Sequence, residues 1–131
     1  MMQFFISQHK KLIGYKNIKM SSNLIFHAVS KRNWNEFNKG GFYNPEGSKY
    51  DDGIVCVNAN KLKDYINQNF KGRRQVLVLV IDKLRLIPKT VYEKEKQIYL
   101  IKDRINMDAI LDKIYVKPNE EGVFDIEITE D

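Results

Sequence analysis

Hydrophobic and polar positions change rhythm several times along this chain, and each change marks an element. Residues 24–29, LIFHAV, form a short apolar run that predicts a strand, and Ser30 after it suits a helix N-cap. In KRNWNEFNKGG, Trp34 and Phe37 stand three apart on one helix face, and Gly40–Gly41 reads as the helix end. A segment with Asn44, Pro45 and Gly47 is a loop. GIVCV, residues 53–57, predicts a second strand, and Asn58 can cap a second helix. On that helix Leu62, Tyr65, Ile66 and Phe70 share one amphipathic face. QVLVLVID, residues 75–82, is apolar on both faces, so it reads as a central strand covered on both sides. TVYEKEK, QIYLI, ILDKIYV and VFDIEIT then predict shorter strands, the last with Phe124, Ile126 and Ile128 alternating against Asp125, Glu127 and Thr129. The expectation is an α+β domain. Two N-terminal helices pack on a mostly antiparallel, strongly bent or split sheet of five to seven strands.

Composition narrows this picture. With 131 residues, 43% hydrophobic and 30% charged, the chain has the proportions of one soluble globular domain. Residues 24–131 are that domain, and residues 1–23 are expected to be a poorly ordered extension. The formal charge of +5 is concentrated in the extension, where Lys10, Lys11, Lys16 and Lys19 meet no acidic residue. Without those four lysines, 18 basic residues face 17 acidic ones. Binding a phosphate backbone needs a basic face, and the one compact cluster is Lys71, Arg73 and Arg74, so nucleic acid is not an expected partner. No apolar run approaches the roughly 20 residues that span a bilayer, so no membrane partner is expected either. A single cysteine, Cys56, excludes an internal disulfide and a cysteine-only metal site. His9 and His27 add no metal-ligand spacing. The expected location is cytoplasmic, or an organelle if residues 1–19 act as a presequence.

Several segments then line up in a recognisable order: IFHAVSKRNW, GGFYNPEG, DDGIVCVNANKL, NFKGRRQVLVLVIDKLRL, VYE and NMDAI. In this order they resemble the domain-of-unknown-function 952 family, from about Leu24 to Ile128. That resemblance implies an α+β fold related to ADP-ribosyltransferase-like folds, whose enzymes bind a nicotinamide dinucleotide in a cleft between two small sheets. His27 matches the family's first-strand histidine, Trp34 its tryptophan, and Tyr43 the tyrosine of a Gly-x-Tyr motif. Glu93 stands where many members are acidic. Two departures matter: Cys56 replaces a family histidine, and Leu100 replaces another.

The resemblance makes His27 a candidate acid, base or ligand contact, against a plain strand histidine satisfied by backbone. Glu93 is a candidate carboxylate for stabilising an oxocarbenium-like ribose, or else a charged strand end beside Lys94, Glu95 and Lys96. Tyr43 and Arg73 are candidate ligand contacts, Arg73 through phosphate pairing, or else part of a solvated turn with Arg74. Trp34 and Phe37 read as core, and Asp51–Asp52 as a turn. Cys56 reads as a replaced site residue facing the cleft, not a catalytic thiol. The leading expectation is a binding module, or degenerate enzyme, for a nucleotide-like ligand of dinucleotide or ADP-ribose type near His27. The alternatives are an active transferase, ADP-ribosyl- or phosphotransferase-like, that uses NAD, and a protein-interaction domain without a small ligand.

Overall fold

The computed structural model describes residues 5–7, 23–45 and 53–129. The turns read at Gly47 and Asp51–Asp52, and the presequence reading of residues 1–19 apart from 5–7, lie outside them. In chain order the strands are β1 (Phe5–Ser7), β2 (Leu24–Val29), β3 (Asn38–Lys39), β4 (Phe42–Tyr43), β5 (Ile54–Cys56), β6 (Val76–Asp82), β7 (Thr90–Glu93), β8 (Ile98–Ile101), β9 (Ile105–Asn106), β10 (Ile110–Val116) and β11 (Glu127–Thr129). Helix α1 (Lys31–Phe37) follows β2, and α2 (Ala59–Asn69) follows β5.

This corrects the expected fold class. The described residues form eleven strands in four sheets, ordered β1-β11, β10-β6-β2, β3-β4-β9 and β5-β8-β7, and not one sheet of five to seven strands. The two helices are short and lie between strands rather than ahead of them. The ADP-ribosyltransferase-like layout is set aside with that expectation. The excess strands, β1, β3, β4 and β9, are pieces of two or three residues, too short to show a period of their own. Part of the stretch read as an extension is paired: Phe5–Ser7 runs antiparallel to Glu127–Thr129.

Strand β6 organises the molecule. All seven of its residues are buried, and it pairs antiparallel with β2 on one side and β10 on the other. Its alternation feeds two cores. Leu77, Leu79 and Ile81 pack with Ile25, Val29, Trp34, Tyr43, Ile54, Cys56 and Ile101. Val76, Val78 and Val80 pack on the opposite face with Leu24, Phe26, Leu62, Ile66, Phe124 and Ile126. Leu62 and Ile66 are the buried stripe of α2. Asn67 on the same helix fixes the C-terminal segment: its amide accepts from Phe124 N–H and donates to Phe124 O, both at 2.8 Å.

Helix α1 is capped as its sequence implies, with Asn33 N–H donating to Ser30 Oγ at 3.1 Å. It ends earlier than expected. Gly40 and Gly41, at φ +65° and +81°, form the two-residue turn of the β3–β4 hairpin. Two successive positive φ angles match the twist of a tight hairpin, and glycine supplies them without strain. The pair therefore starts a strand instead of capping a helix.

The feature that positions the site is a split between sheets. Strand β2 touches the chain just past the end of β5 at an isolated antiparallel pair, Phe26 and Val57, whose two backbone bonds measure 2.8 and 2.9 Å. Beyond that pair the strands part.

Candidate functional site

His27 sits one residue along β2 from the Phe26–Val57 pair, where the parting strands leave the Val55 carbonyl without a ladder partner on that side. The ring closes the gap, with Nδ1 2.7 Å from Val55 O. A carbonyl only accepts, so Nδ1 carries the hydrogen. In the neutral ring Nε2 is then an acceptor, and the Tyr43 hydroxyl lies 3.0 Å from it. His27 is 1% exposed and Tyr43 fully buried. Trp34 backs the tyrosine, its ring centroid 5.3 Å from that of Tyr43. The two residues are fixed by different elements, His27 by its register opposite Leu79 on β6 and Tyr43 by β4 opposite Ile105.

A groove of about 280 Å³ opens over the split. His27, Ala28 and Val55 form its floor, and Tyr65, Asn69, Phe70 and Arg73 from the C-terminal end of α2 and the turn after it form its wall. Gly72, at φ +86°, turns the chain there and sets Arg73 at the rim. The Arg73 side chain is exposed and meets no carboxylate among the described residues. The groove thus offers one exposed cation, a side-chain amide whose Nδ2 donates to Tyr65 O and two aromatic rings, with the buried His27 beneath them. That set matches an anionic ligand with a flat or apolar part.

The sequence-derived candidates separate on this geometry. His27 and Arg73 line one groove. Tyr43 does not reach it and acts from behind, by holding His27. Glu93 is elsewhere: it pairs with Ile98 at the far end of β7, and two strand spacings, on the order of 10 Å, separate its row from β5. Its carboxylate lies 3.6 Å from Lys96 Nζ, an ion pair of the β7–β8 turn. The two catalytic candidates, His27 and Glu93, are thus not brought together. Cys56 is also corrected. It is fully buried among Ile54, Tyr43 and Ile101, and Val55, its neighbour on the opposite face, lines the groove instead. Burial alone raises the Cys56 thiol pKa far above its ordinary range, so it stays a protonated apolar filler. Leu100 is buried opposite Val55 and carries no chemistry.

Sequence reasoning missed Tyr65, Asn69 and Phe70 as groove residues. Tyr65 and Phe70 read correctly as part of the apolar face of α2, and nothing local marks the end of that face as open. Among the described residues no cluster of histidine, cysteine or carboxylate side chains could hold a metal ion, and no helix is long and apolar enough to cross a membrane.

The fold is shared with CC0527 from Caulobacter crescentus. Crystal structures of a double mutant of that protein and of CC0527 itself superpose with TM-scores of 0.65 and 0.63, at 13% and 14% identity. Each alignment covers 77% of this chain and 92% of the other. Its solution structure gives 0.58 at 14% identity, over 76% and 90%. At this identity the likeness is one of fold. The sequence matches no family model and no curated protein.

Proposed function

We propose that this domain is a binding module for a small anionic, nucleotide-like ligand, held in the groove between β2, β5 and the end of α2. One observation carries the reading: Arg73, Asn69 and the two aromatic rings converge on a groove whose floor includes His27. In this reading Arg73 pairs with a phosphate, Asn69 orients a hydroxyl or ring edge, and Tyr65 and Phe70 flank a base or sugar. A volume of about 280 Å³ lies at the small end for ligand sites, which favours a mononucleotide or one half of a dinucleotide such as NAD over the whole molecule. Membership of the domain-of-unknown-function 952 family belongs to the same proposal, supported by the order of the segments from IFHAVSKRNW to NMDAI. A binding role is preferred to a transferase role because Glu93 is remote from His27 and Cys56 is sealed in the core.

Thermal stability of the full chain with AMP, ADP, ADP-ribose, NAD and ribose 5-phosphate tests this. A ligand at 100 times its Kd adds about 2.7 kcal/mol of stability. The expected result is a rise in Tm with at least one phosphate-bearing compound, lost in Arg73→Gln and kept in Arg74→Gln. No shift with any of the five, or a shift indifferent to Arg73, overturns the proposal.

A further inference from the structure

The loop Lys83-Leu84-Arg85-Leu86-Ile87-Pro88-Lys89 contradicts the usual economy of a surface. Leu84 is 76% exposed and Ile87 78%, the two most exposed large aliphatic side chains among the described residues. Isolated exposed aliphatics are ordinary, but two within four residues on one loop are not scattered. The loop is also held. Asp82, buried at the end of β6, accepts from Leu84 N–H at 2.9 Å. Asn106, 4% exposed, accepts from Ile87 N–H and donates to Arg85 O, both at 2.9 Å. Leu86, between the two exposed residues, packs against the core. Two buried polar side chains are thus committed to fixing a backbone that turns Leu84 and Ile87 outward.

The charges around it carry a positive excess. Lys83, Arg85 and Lys89 alternate with the aliphatics, and Lys102, whose N–H donates to Lys89 O at 2.9 Å, extends the row. Asp82 is buried and lies 3.6 Å from Arg85, and the acidic residues exposed beside this row are Asp103 and Asp108, the latter bound by the Asn106 amide. Outward aliphatics ringed by cations suit one surface above others: an apolar interior under a layer of anionic headgroups.

We propose that the 83–89 loop docks the protein on anionic lipid surfaces, with Leu84 and Ile87 entering the acyl boundary and Lys89 and Lys102 meeting lipid phosphates, while Lys83 lies over the Tyr99 ring and Arg85 beside Asp82. This is a peripheral contact, independent of the groove and made without a spanning segment.

Co-sedimentation of the full chain with vesicles of phosphatidylcholine alone, and with 30% phosphatidylglycerol, tests it. Binding to the anionic vesicles is expected to be at least tenfold tighter than to the neutral ones and to weaken in 0.5 M salt. Leu84→Ser/Ile87→Ser should bind at least tenfold more weakly with an unchanged Tm, since both side chains already face solvent. Lys89→Gln/Lys102→Gln should weaken binding to anionic vesicles alone. No binding to anionic vesicles, equal binding to both kinds, or full binding by the double serine variant overturns the proposal. So does a fall in that variant's Tm, which would mean that the chain itself covers the loop. Self-association abolished by the double serine change would assign the loop to an interface between copies, and the lipid reading would fall.

Discussion

His27 shows how one residue can be structural and still define a site. Its Nδ1–H satisfies a carbonyl that strand pairing has abandoned, and its Nε2 faces the one hydroxyl that β4 brings inward. The bond from Tyr43 joins two elements that share no ladder, so removing it should be felt by the whole domain. Tyr43→Phe is expected to cost about 1–3 kcal/mol, the range for stripping a partner from a buried polar atom. Urea denaturation of the two proteins measures it, and a difference below about 0.5 kcal/mol would show that the bond does not hold the ring. The neighbouring Cys56 makes a contrasting prediction. Its thiol should be silent to a disulfide reagent in the native protein and react once per chain in denaturant. Because burial keeps it protonated while the unfolded thiol ionises near 9.0, its contribution is intact below that pH. Above it, the unfolded state sheds a proton that the folded state keeps, so stability falls by up to about 1.4 kcal/mol per pH unit. That alkaline slope should be absent from Cys56→Ala when the two proteins are compared.

At the scale of elements, glycines mark where the chain does what other residues resist. Gly53 enters β5 at φ +127°, and a Cβ there would stand 3.0 Å from Ile101 O and 3.3 Å from Leu100 Cβ. Gly40, at φ +65°, has open space around it. Gly53→Ala is therefore expected to cost more than Gly40→Ala, about 1–3 kcal/mol against about 1 kcal/mol. Equal losses of Tm would show that φ alone, and not the close approach of β8, governs both. The same contrast explains what the sequence revealed. Strands β2, β6 and β10 and helix α2 were legible because each buries a face, or both faces, with its own period. Gly40–Gly41 was misread because two glycines after a helix satisfy a C-cap and a hairpin turn equally well, and only the pairing of Asn38 with Tyr43 decides. Strands β3, β4 and β9 have two residues each and no period to read. The site was half legible. Motif order pointed to His27, and a basic turn after the second helix to Arg73, but the wall supplied by Tyr65, Asn69 and Phe70 exists through the tertiary placement of α2.

For the whole molecule, the described structure is two cores separated by one sheet, with functional candidates at the margins of that sheet. The groove lies where β2 parts from β5, and the lipid-facing loop begins where β6 ends. The two are carried by different elements, so Arg73→Gln should leave vesicle binding untouched, and Leu84→Ser/Ile87→Ser should leave ligand-induced stabilisation untouched.

The central place of β6 also dictates an order of events during synthesis. Strand β2 leaves the ribosome about fifty residues before the strand that will flank it, and β10 comes last to the same partner. Until residue 82 has been made, the apolar run LIFHAV has its main ladder partner missing and must wait unpaired. Such distant pairings close large loops before they gain contacts, which slows folding. A nascent chain that has presented residues 24–29 but not yet residues 76–82 thus carries an apolar strand without its main partner, the kind of exposed edge that favours aggregation.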